Sequence, residues 1–232
     1  MKIANFKSQI GLRVSLCRTP KVKVFHFSFF ILPFALLVIS GCVGFQTAGE
    51  VQTGRYELML GKAESALPHF QRAAELDPTY IMRFGVFQEG VWSYVGRAYY
   101  DMGKLPEARQ ALERALSRYD QDHLAKLYLG LTLARDGDKR RGLSEMESGL
   151  KGLYDWLEWI TYHTSYGIYW DPRREIRNEI KTNLATISGK EIDYQKLIDG
   201  GESIGKKMEE EIDLARRDEI EAYKQGEGKG EP

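Results

Sequence analysis

The sequence predicts an all-α protein: a short array of about three helix-turn-helix units, capped by a C-terminal helical segment. Two observations carry this. Glycines recur at one spacing, Gly96 with Gly130 and Gly103 with Gly137, each pair 34 residues apart, and self-similarity at a period of 20–50 residues marks a stacked repeat. Beyond the repeats, Ile176, Ile180, Leu184 and Ile187 follow one face of an amphipathic helix.

The 232 residues balance 33 Lys and Arg against 33 Asp and Glu, which argues against a nucleic-acid binder relying on bulk basic charge. The balance hides two unlike pieces. Residues 1–41 hold six basic residues and no acidic one, leaving 27 basic against 33 acidic, net −6, in the rest. Val24 to Ile39 is almost wholly apolar, and a basic lead before a short apolar core is the layout of a secretory signal. Ile39-Ser40-Gly41-Cys42 then resembles the bacterial lipobox. The resemblance implies a signal peptide over 1–41, a lipidated Cys42 opening a linker over 42–46, and a membrane anchor of two or three acyl chains. Val43, rather than Asp, follows the cysteine, which by sorting analogy implies the outer membrane, facing the periplasm. The alternative is an uncleaved span in the inner membrane over Val24 to Phe45, since about 20 apolar residues suffice. Cys17 falls in the leader, so the mature body has no free thiol for a disulfide or a nucleophile.

The repeat is clearest in its second copy: Trp92, Val95, Gly96, Ala98, Tyr99, Gly103, Ala108, Leu112 and Ala115. The first copy keeps Gly61, Ala66, Phe70, Ala73 and Pro78, and the third keeps Leu129, Gly130, Leu133 and Gly137. Spacing and residue types resemble the tetratricopeptide repeat family over residues 47–156. Small positions let paired helix axes approach, and Gly103 and Gly137 sit where a helix ends in a left-handed glycine. Gly61 to Gly103 is 42 residues, so about eight are inserted around Ile81 to Gln88, as a longer helix or a loop.

Residues 157–224 form the C-terminal extension. Leu153, Trp156, Leu157 and Ile160 share a helical face that covers the open end of the array; the sharper reading makes Trp156, Trp159 and Trp170 an aromatic patch for a partner or the membrane interface. Asp171-Pro172 reads as a helix N-cap with Pro at the first position. A helix from about Asp193 to Tyr223, broken near Gly200-Gly201, carries a thin stripe of Met208, Ile212 and Ala215 and packs as a cover. Residues 225–232 have nothing to bury and are expected to be disordered.

Chemistry finds little support. Gly200 to Lys207 meets the first seven positions of a phosphate-binding loop but has Lys207 where Ser or Thr holds magnesium, and no strand precedes it. His69, His123 and His163 are scattered, unlike metal ligands. Glu209, Glu210 and Glu211 read as a solvated run. The expectation is therefore no enzyme, no catalytic or metal residue, no cofactor, no nucleotide and no nucleic acid.

In the family the first helix of each repeat lines a concave groove. The resemblance thus implies a partner-binding groove of Arg55, Arg97, Tyr100, Asp101 and Arg135, whose guanidiniums could clamp a carboxylate; the plainer alternative pairs them with acidic residues of neighbouring helices. The implied function is a lipid-anchored scaffold or assembly factor holding other envelope proteins, or their extended peptide segments, together. The alternative is an envelope receptor or enzyme binding a glycan or lipid through residues 154–170.

Overall fold

The structure, a computed structural model, describes the backbone of residues 28–84 and 87–227 and the side chains of residues 43–84 and 87–225. The expected leader and the lipidation site at Cys42 lie outside the described side chains. The chain divides after Ser40, and the unit Gly41–Pro232 holds the helical array. Among the described residues no helix is long and apolar enough to cross a membrane.

Six helices pair in sequence order: α1 (Ser28–Met59) with α2 (Ala63–Leu76), α3 (Val91–Asp101) with α4 (Leu105–Arg118), and α5 (His123–Arg135) with α6 (Lys139–His163). Residues 43–46, expected as a linker, are already helical within α1. Gly61, Gly103 and Gly137 end the first helix of each pair at φ of +72°, +72° and +99°. Lys104 N–H donates to Tyr99 O and Gly103 N–H to Tyr100 O, both at 2.9 Å, closing a turn that favours a left-handed glycine. Inside the pairs, glycine sets the approach. A Cβ on Gly130 would lie 2.4 Å from the Met146 backbone nitrogen, so α5 and α6 touch almost backbone to backbone.

Several further expectations are corrected. The insertion is neither a longer helix nor a loop but an antiparallel hairpin, β1 (Ile81–Phe84) with β2 (Phe87–Gly90), in the register Ile81 to Gly90 and Phe84 to Phe87. It survives as two short strands because Met82, Phe87 and Glu89 are buried rather than left on an exposed ribbon. The helix after Asp171-Pro172 starts later, as α7 (Glu175–Ile187). Asp171 still caps it, its carboxylate accepting from the N–H groups of Ile176 and Arg177 at 3.0 Å, but from a left-handed loop with φ of 46° at Asp171 and 58° at Arg174. Finally, α8 (Tyr194–Glu227) runs unbroken through Gly200-Gly201. Those glycines are contact points: a Cβ on Gly200 would strike the Asn183 side chain, on Gly201 Leu131, and on Gly205 Tyr128. They let α8 lie close on α5 and α7, which also removes the phosphate-loop reading.

The boundary expected at 156–157 falls inside α6, which continues through the aromatic run to His163. Residues 225–227, expected as disordered tail, prolong α8; 228–232 lie outside the described residues. One core cluster spans α3 to α8 and a second lies between α1, α2 and α3. Met208, Ile212 and Ala215 are fully buried in the first.

Alanine at Gly130 gains about 1 kcal/mol of helix propensity, yet overpacking against backbone costs about 1–3 kcal/mol. Gly130→Ala is therefore expected to lower the urea midpoint; an unchanged or raised midpoint would mean that the close approach of α5 and α6 is wrong.

Candidate functional site

The first helices of the three units, α1, α3 and α5, present one continuous face, and α8 lies across it. Arg55 on α1 and Arg97 on α3 project from equivalent places on that face. Both are buried, at 0% and 3% exposure, and between them sits Glu209 of α8. Arg55 Nε donates to Glu209 Oε1, and Arg97 Nη1 donates to Glu209 Oε2 at 2.7 Å. The same Arg97 nitrogen reaches both oxygens of Glu89 on β2, at 2.9 and 3.0 Å. Ser93 Oγ donates to Glu89 Oε1 at 2.8 Å. Aromatic rings wall the cluster: Arg97 lies 5.4 Å from the Tyr94 ring and 5.1 Å from that of Tyr128, and Arg55 lies 4.7 Å from Phe84 at the hairpin tip.

Toward the glycine-turn end the contacts become polar and more exposed. Tyr100 Oη donates to Glu202 Oε1 at 2.5 Å, Arg135 pairs with the same carboxylate at 3.5 Å, and Asp101 stands within electrostatic reach of Arg97, Glu202 and Arg135. All five expected groove residues thus lie on the α8 side of the array. The groove is not open there: α8 fills it, and Glu209 and Glu202 occupy the place given to a partner's carboxylate. Of the two readings of Arg55 and Arg97, the structure shows the pairing one, with Glu209 coming from a distant helix and Glu89 from the adjoining hairpin.

Residues 96–144 match the family model described as Tetratricopeptide repeat. That segment is similar to tetratricopeptide repeats. It runs from mid-α3 into the first turns of α6, and the pair α1–α2 outside the match repeats its geometry, with Gly54 against Phe70 as Gly96 lies against Leu112. No curated protein and no solved structure matches the chain. Repeats of this kind generally mediate protein–protein interaction.

Glu89 escaped the sequence reading, and the solvated run expected at Glu209 to Glu211 is corrected: Glu209 and Glu211 are buried, held by Arg55 and Arg97 and by the Asp171 N–H respectively. Glu89 lies in the insertion, for which the repeat pattern gives no template. Glu209 sits in an acidic run, and its only sequence signal is its neighbourhood: it borders the stripe Gly201, Gly205, Met208 and Ile212, which one face of a helix brings together.

The three tryptophans do not form one surface. Trp170 is buried and packs with Trp156 at 5.0 Å and Phe87 at 6.1 Å, joining hairpin, α6 and the loop before α7. Trp159 is 51% exposed and stacks on His163 at 5.2 Å. His69 pairs with Glu50, and His123 packs where a Cβ on Gly152 would be; among the described residues no three His, Cys, Asp or Glu are grouped to hold a metal ion.

Asp122, the N-cap of α5, joins the hairpin to the array by accepting from Gly90 N–H at 2.8 Å and Ala125 N–H at 2.9 Å. Burial first, and then the Glu89 carboxylate, push its carboxyl up to about 7. Burial raises Glu89 as well, against the pull of Arg97. Glu209 goes the other way: burial pushes it up, but Arg97 and Arg55 outweigh burial and hold it below the usual carboxylate range. The unfolded chain releases the Asp122 proton near pH 4. Between there and pH 7 the folded chain therefore binds more protons, so this residue's contribution to stability falls as pH rises through that window. Urea unfolding is expected to show about 1–3 kcal/mol less stability at pH 8 than at pH 5 from this group, at 1.36 kcal/mol per pKa unit, and Asp122→Asn should flatten the dependence. A wild-type slope retained in that variant would show that another group carries it.

Proposed function

We propose that this protein is a lipid-anchored interaction scaffold or assembly factor of the bacterial envelope, facing the periplasm from the outer membrane, and that it binds protein partners rather than catalysing a reaction. The observation that carries the reading is the three-unit repeat array, matched over residues 96–144 to a tetratricopeptide repeat. The sequence Ile39-Ser40-Gly41-Cys42 after a basic and apolar lead supports the anchor.

Since α8 fills the face formed by α1, α3 and α5, partners are assigned to the outer side. A cleft of about 720 Å³ lies there, between α2, α3 and α4. Trp92 and Tyr99 supply apolar area, and Gln71, Glu75, Glu107 and Arg114 rim it. Arg114 lies 3.6 Å from the Trp92 ring centroid. An aromatic floor with a charged rim is the make-up of an interface core, where Trp, Tyr and Arg contribute most.

The test has two parts. Mass spectrometry of the chain purified from its own membranes should show an acylated N-terminal Cys42; an intact Met1 terminus overturns the lipid anchor. Photo-crosslinking residues placed at Gln71 or Gln110 should give adducts with envelope proteins in intact cells, while the same group at Tyr100, beneath α8, gives none. Adducts from Tyr100 alone would return the partner to the inner face and overturn the outer assignment.

A further inference from the structure

The three first helices run parallel, so their starts lie together at the hairpin end, and the glycine turns lie together at the other. Gly90 N–H bonded to Asp122 ties the starts of α3 and α5 at the hairpin end. α1 is in register with α3 at Gly54 and Gly96, 42 residues apart, so residues 43–48 project beyond the start of α3. Phe45, 83% exposed, is on that projecting turn. α6 runs the opposite way along α5: Gly142 lies against Ala134 and Gly152 against His123, the first residue of α5. It then continues to His163, roughly 16 Å past the start of α5 at 1.5 Å per residue. The overhang carries Trp159, Tyr162, Tyr166 and Ile168, exposed by 51%, 71%, 53% and 61%.

Two features set this overhang apart from the rest of the surface. Residues 159–170 contain no Asp, Glu, Lys or Arg, in a chain with 28% charged residues. Its polar groups are also partnered within the protein: the hydroxyls of Thr161 and Thr164 donate to the carbonyls of Leu157 and Ile160 at 2.8 and 2.9 Å, Thr161 also accepts from Arg177 Nη1 at 3.1 Å, and His163 Nδ1 lies 2.8 Å from Trp159 O. Amphipathic rings on a segment without charged residues of its own, with hydroxyl groups already partnered, suit the boundary between headgroups and acyl chains, where Trp and Tyr concentrate. The overhang also faces the end of the domain from which α1 leads back to Cys42.

We propose that the hairpin end is a membrane-docking surface, on which Trp159, Tyr162, Tyr166 and Ile168 enter the interfacial zone of the bilayer that holds the anchor. This docking rests on the lipid-anchored function proposed for the chain. It fixes the array upright, with its glycine-turn end furthest from the lipid and the α2–α4 cleft to the side. A tether alone would leave the domain free to tumble at the end of its acyl chains.

The full chain, purified from its own membranes and reconstituted into phosphatidylethanolamine–phosphatidylglycerol vesicles, allows a direct test. With acyl chains brominated near the headgroup, the fluorescence lost on replacing Trp159 by Phe should prove quenched. A tryptophan introduced by Leu60→Trp, at the glycine-turn end, should stay unquenched, and the double variant Tyr162→Asp/Ile168→Asp should abolish the Trp159 quenching while the chain still floats with the vesicles. A chain that floats with Trp159 unquenched, or with Leu60→Trp quenched as strongly, overturns docking and leaves the anchor standing. A chain that does not float overturns both.

Discussion

Two arginines that open solvent would hydrate well are instead sealed under a helix more than a hundred residues away in sequence, and Glu209 makes that possible. A buried guanidinium without a counter-charge is far costlier than the pair it could form. Arg55 and Arg97 must therefore be met, and a single carboxylate meets both, one oxygen each. Glu89 then balances the second positive charge from the hairpin side. The cluster of two arginines and two glutamates is neutral as a whole. Its members come from α1, β2, α3 and α8, so it forms only when the array, the insertion and the C-terminal helix are all in place.

That dependence orders the rest of the molecule. Three repeat units have two open ends and an open inner face, and stacked repeats lose solubility when such faces stay bare. Here α8 covers the inner face, with glycines at 201 and 205 bringing its axis down onto Leu131 and Tyr128. The hairpin packs Met82 and Glu89 against α3, Phe84 under Arg55, and Phe87 against Trp156 and Trp170. Asp171 and Glu211 then fasten the start of α7 to α8, through the Asp171 N–H donated to Glu211 at 2.6 Å. A repeat fold usually read as an open cradle is in this chain a filled one, and the surfaces proposed for recognition lie instead on the outer side and at the hairpin end.

The repeat architecture was legible because its signals are local and periodic. Turn glycines at 61, 103 and 137 and small residues at 54, 96 and 130 each act within one helical pair, so spacing alone identifies them. The inner-face residues were legible for the same reason: position in the repeat assigns Arg55, Arg97, Tyr100 and Arg135 to one side. What covers that side was not, because Glu209 lies 112 residues from Arg97 and 154 from Arg55 and no period links them. The glycines of α8 misled for a related reason, since glycine inside a helix pattern lowers helix propensity and only the partner surface shows the compensating contact. The hairpin was hidden because Ile81 to Gly90 owes its strand form to burial against α3 and its neighbours rather than to its own composition.

If Glu209 holds α8 on the array, removing its charge while keeping its shape should free that helix before the rest of the fold. Native-state hydrogen exchange on Glu209→Gln reads this out helix by helix. Amides of residues 204–216 are expected to lose protection selectively, opening well below the free energy of global unfolding, while α3, α4 and α5 keep theirs. Unchanged protection along α8, or a uniform loss across all helices, would contradict the role given to Glu209.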